Sequence, residues 1–97
     1  MGTRYYAGGF WISFETAPLR MLARLLLRAG TADRAPSLAR AAYSNEKHRC
    51  PMDFVVYALA LEAVGHKEEE LKVTEEALRQ NDQMDEAIAL RRRLRSR

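Results

Sequence analysis

Arginines at helical spacing are the first chemistry this sequence offers. Arg20, Arg24 and Arg28 recur every four residues, and Arg91, Arg92, Arg93, Arg95 and Arg97 crowd seven positions at the C-terminal end. Each guanidinium presents its N–H donors in a planar fork that matches a carboxylate or a phosphate. The first set reads as one basic helix edge. The second reads as a cluster suited to an anionic surface, whether lipid, nucleic acid or acidic protein. The helix dipole favours cations at a helix C-terminus, but five arginines in seven residues exceed what a cap needs. No aromatic is interleaved with them to stack on bases, which disfavours nucleic acid.

The remaining reactive groups are scattered. His48, Cys50 and His66 follow no standard metal-ligand spacing, and His66 falls in a turn. Cys50 has only His48 beside it and no further partner for nucleophilic catalysis. As the single cysteine it forms no internal disulfide, which fits a reducing compartment or a thiol of no consequence rather than a secreted framework. Gly8-Gly9 is followed by neither the lysine nor the helix start of a phosphate loop. The expectation is a protein that is not an enzyme and uses no metal or cofactor.

Positioning these groups falls to a short chain. With 97 residues, 47% of them apolar and 30% charged, one small domain is expected. No apolar run reaches the about 18 residues that a membrane span requires. The net charge of +3 is segregated: residues 1–61 carry eight basic and four acidic side chains, 62–86 three and nine, and 87–97 five arginines and no acid. The acidic middle block is placed to neutralise the last one within the fold.

From Pro18 onward the apolar spacing is helical and β-branched residues are sparse, so the class is all-α. The pattern predicts helices over about 18–29, 33–43, 52–64, 68–80 and 84–94. Thr16 stands at a cap position for the first, and Pro36 is tolerable in the opening turn of the second, where amides lack an intrahelical acceptor. Ahead of them, residues 1–16 hold five of the eight aromatics, Tyr5, Tyr6, Phe10, Trp11 and Phe14. This segment caps the helical domain, extends its first helix backward from about Phe10, or binds a partner. Residues 1–30, with four arginines and one acid, also have the composition of a mitochondrial presequence. The cytoplasm is the expected compartment and the mitochondrion its alternative.

Sliding the chain on itself by 35 residues aligns Ala23 with Ala58, Gly30 with Gly65 and Ala42 with Ala77. Apolar class is kept at Leu19/Phe54, Leu22/Tyr57, Leu26/Leu61 and Tyr43/Leu78. The stretch from Phe54 to Leu78 resembles a tetratricopeptide repeat: a large apolar residue, a small one four later, glycine in the inter-helix turn, and Ala-Leu late in the second helix. Glu70, Thr74 and Asp82 depart from the family's usual alanine, aromatic and proline, and the first repeat carries Pro36. A generic bundle of five amphipathic helices is the plainer alternative.

The resemblance implies helix pairs stacked as a short right-handed superhelix. Repeat one would cover about 17–49, repeat two about 51–82, and a closing helix about 84–95. It also implies a groove lined by Arg20, Met21, Arg24, Leu27 and Arg28, by Val55, Val56 and Leu59, and by Leu90, Arg93 and Arg97. The expected function is an adaptor or co-chaperone-like scaffold, holding an acidic or amphipathic peptide or helix of a protein partner in this basic-edged apolar groove. The alternative is an electrostatic anchor that binds lipid or nucleic acid through the C-terminal arginines. Two helix pairs fall short of the three repeats an array usually needs, so self-association is expected as well.

Overall fold

The computed structural model describes the backbone of residues 4–7, 10–31 and 33–96, with side chains for 14–31 and 33–96. Five helices follow one another: α1 (Ala17–Arg28), α2 (Ala35–Tyr43), α3 (Pro51–Ala63), α4 (Lys67–Gln80) and α5 (Asp85–Ser96). Every predicted helix is present, with its ends within two residues of the expected ones. Ahead of them lies an antiparallel hairpin of β1 (Arg4–Ala7) and β2 (Phe10–Ser13), in which Arg4 faces Ser13 and Ala7 faces Phe10. The helical class therefore holds for residues 17–96. The backward extension of α1 from about Phe10 does not, because Phe10–Ser13 is a strand. Tyr5 and Tyr6 in β1, and Phe10, Trp11 and Ile12 in β2, favour extended backbone. β2 runs alongside α3.

The first helix of each pair stops by the same device. After α1, the Gly30 N–H donates to the Leu27 carbonyl and the Thr31 N–H to that of Leu26; after α3, Gly65 donates to Glu62 and His66 to Leu61. Both glycines have φ near +80°, at 79° and 80°. This paired closure requires a left-handed residue just past the helix, which glycine adopts without a side-chain penalty. A motif repeated 35 positions apart turns the chain back twice in the same way.

Each helix contacts the next, and α1 also meets α3 while α3 meets α5. The odd-numbered helices thus lie side by side, with α2 and α4 each wedged against two of them. Small residues permit the close approach. Ala23, Ala58 and Ala77 are fully buried, and Ala42 is 1% exposed. Helix α3 is the hub, touched by all four other helices, and nine of its thirteen residues are buried. On α4, Glu70 and Thr74 occupy fully buried positions, and the Thr74 hydroxyl is satisfied by donating to the Glu70 backbone carbonyl at 2.7 Å. Beside α3, Tyr43 packs edge-on against Phe54 and tilted against Tyr57, while the Arg49 guanidinium lies about 5 Å over the Tyr43 and Phe54 rings.

Candidate functional site

An open groove of about 380 Å³ runs between the odd-numbered helices. Helix α1 supplies Arg24, Leu27 and Arg28, α3 supplies Leu59, Glu62 and Ala63, and α5 contributes Glu86. Residues three and four apart share a helix face, so each triad forms one stripe. The two stripes are themselves related by the 35-residue shift, since 24, 27 and 28 map onto 59, 62 and 63.

Its walls carry paired charges. Arg24 Nη2 donates to both Glu86 carboxylate oxygens at 3.1 Å, and lies 3.6 Å from Met52 Sδ. Arg93 grips Glu62 with a two-pronged fork, Nε to Oε2 at 3.2 Å and Nη2 to Oε1 at 3.0 Å. That hydrogen-bonded carboxylate pushes the Arg93 guanidinium further above its ordinary value, against the opposing effect of burial and with help from the charges of Glu62 and Glu70. Partly exposed pairs of this kind contribute at most about 1 kcal/mol each, but they tie α5 to α1 and α3. Arg28, at the rim, has no ion pair among the described residues.

Four of the expected groove residues are not on a surface at all. Arg20 is 8% exposed and enters a buried cluster, donating to Asp53 Oδ1 at 3.0 Å, to Thr16 Oγ1 at 3.3 Å and to Cys50 Sγ at 3.2 Å. Asp53 Oδ2 accepts the Thr16 hydroxyl at 2.6 Å and the Cys50 N–H at 2.8 Å. Asp53, in the first turn of α3, is satisfied by these neighbours, and the Thr16 hydroxyl serves it instead of capping α1. Val55, Val56 and Leu90 are fully buried, because α3 is enclosed by its four neighbours and Leu90 belongs to the core they share. Met21 is 62% exposed but absent from the groove lining. Arg97 lies outside the described residues. Arg24, Leu27, Arg28 and Leu59 are the expected residues brought together; Arg93 joins them through Glu62.

The C-terminal cluster is divided. Arg93 turns to Glu62, whereas Arg91, Arg92 and Arg95 line a recess of about 270 Å³ with Ile88 and Ser96. These three have no ion pair among the described residues. Among the described residues the acidic middle block meets the last one through the Glu62–Arg93 pair, whereas Glu69 accepts the Tyr57 hydroxyl at 2.6 Å and Glu76 that of Tyr43 at 2.8 Å. Cys50 is 1% exposed, and His66 is exposed ahead of α4. Among the described residues no three His, Cys, Asp or Glu side chains gather to hold a metal, and no helix is long and apolar enough to cross a membrane.

Glu62, Ala63, Glu86 and Asp53 were missed by reading the sequence. For Glu62 and Ala63 a signal existed, because the shift that aligns the repeats carries Leu27 and Arg28 onto them. Nothing equivalent pointed to Asp53 or Glu86. Compared with protein-family models, curated proteins and solved structures, the chain matches none.

Proposed function

We propose that this chain is a non-catalytic, tetratricopeptide-like adaptor that holds a peptide or helix of a protein partner between its odd-numbered helices. The observation that supports it is the open groove whose two longer walls use helix positions that correspond under the 35-residue shift, although the residues at those positions differ. Leu27, Leu59 and Ala63 offer apolar contact, which stabilises a bound leucine or phenylalanine by about 25 cal/mol per Å² buried. With Arg24 and Arg93 already paired, Arg28 is the cation free to take a carboxylate, so the occupant is an amphipathic segment with an acid at one end. Exposed charges of this kind set on-rate and salt dependence more than affinity.

A second reading, an electrostatic anchor, is favoured by the outward face of Arg91, Arg92 and Arg95. The two are separated by capturing partners from a lysate with the L27E/L59E variant and with R91E/R92E/R95E. The adaptor reading expects the first to lose the captured protein and the second to keep it. The reverse pattern, with retention on anionic vesicles abolished by the arginine changes, supports the anchor.

A further inference from the structure

One side of α1 is apolar and faces solvent beside the groove, whose lining it shares only at Arg28. Pro18, Met21, Leu22, Leu25 and Arg28 are all exposed, and their spacing places them on one stripe of the helix. Met21 is 62% exposed, Leu22 46% and Leu25 60%. A surface helix ordinarily turns such residues toward the core. Beside the stripe, Leu22, Leu26 and Leu38 line a recess of about 270 Å³ between α1 and α2. The ends of the stripe carry opposite charges. Glu15, just ahead of α1, and Arg28, in its last turn, are exposed, and neither has an ion pair among the described residues.

We propose that this stripe is the seam of a homodimer, in which α1 helices of two copies lie antiparallel about a two-fold axis passing between Met21 and Leu22. In that register Leu22 meets the second copy's Met21, Leu25 meets its Pro18, and Arg28 meets its Glu15 at both ends of the seam, a pairing that takes Arg28 from the carboxylate it would otherwise hold in the groove. An antiparallel pair also sets each helix dipole against the opposite end of the other. The charge pattern selects this occupant. A parallel pairing would place Arg28 against Arg28, and stacking α5 of one copy on α1 of another would bring Arg91, Arg92 and Arg95 toward Arg28 and Arg34. The antiparallel arrangement is self-complementary and closes at two copies.

The seam is short. Twelve residues of α1 span about 18 Å, which buries less than the about 800 Å² per partner of a standard interface, so exchange in the micromolar range is expected.

Sedimentation and light scattering between about 1 μM and about 500 μM, the range such an affinity samples, test the proposal. The mass should rise from 11.1 kDa toward twice that value. L25D should stay monomeric with its helix content intact by circular dichroism, since the side chain is exposed. R28E and E15R should each weaken the dimer about tenfold, and the double variant should restore it. L59E, changed in the groove, should dimerise as the parent does. A parent chain monomeric at the highest concentration, L25D dimerising normally, no rescue in the double variant, or loss of the dimer in L59E would each overturn it.

Discussion

Replacing Asp53 by alanine strands the Arg20 charge inside the protein. The two side chains are 0% and 10% exposed, and their ion pair spans 3.0 Å. Removing one partner of a buried pair costs about 3–5 kcal/mol, because the other charge is left without compensation. Asp53 also accepts from Thr16 and from the Cys50 N–H, so α1, the segment before it and the start of α3 lose a common anchor. A domain of this size is stable by about 5–15 kcal/mol in total, so D53A removes about a fifth of that or more. In urea the unfolding midpoint should fall by about 2 M, given slopes of about 1–3 kcal/mol per molar. The companion variant R20M/D53L removes both charges and should recover much of the loss, since an apolar pair of similar volume avoids the desolvation penalty. A D53A midpoint within about 0.5 M of the parent, or a double variant no better than D53A, would refute the reasoning.

Two further outcomes follow from the helix packing. Ala58→Leu should cost about 1–3 kcal/mol in thermal unfolding, because Ala58 is fully buried where helices approach closely, whereas Ala41→Leu on the exposed side of α2 should stay within about 0.5 kcal/mol. The Tyr57 hydroxyl, raised to about 12 from 10.0 by burial and by its hydrogen bond to Glu69, should ionise late in a phenolate absorbance titration. Because the folded state holds that proton more tightly, the stability it contributes is complete below pH 10 and declines between pH 10 and about 12. Tyr57→Phe should flatten that decline, and an unchanged pH profile would count against the assignment.

The helices were legible because their signals are local. Apolar period, Pro18 and Pro36 in opening turns, and Gly30 and Gly65 after the first and third helices act within a few residues, and the structure uses them so. The hairpin carried a signal too, aromatics flanking Gly8-Gly9, but it competed with a helical reading of the same residues. Burial was harder to read. Helical spacing places Val55 and Val56 on some face, yet only the surrounding helices decide that no face of α3 near them is open. Arg20 looked like one more member of an arginine row, and its partner Asp53 lies 33 residues away. Long-range charge pairing leaves no periodic trace, so Arg24–Glu86, at 62 residues' separation, and Arg93–Glu62 were invisible as well.

The most direct measurement for the adaptor reading places a photo-crosslinking amino acid at Leu59, in the groove lining, and separately at Arg92, on the outward arginine face. Irradiation in a lysate should yield a discrete protein adduct from position 59 that disappears when Leu27→Glu is added, with none of that species from position 92. Adducts formed from position 92 alone, and lost at high salt, would contradict it.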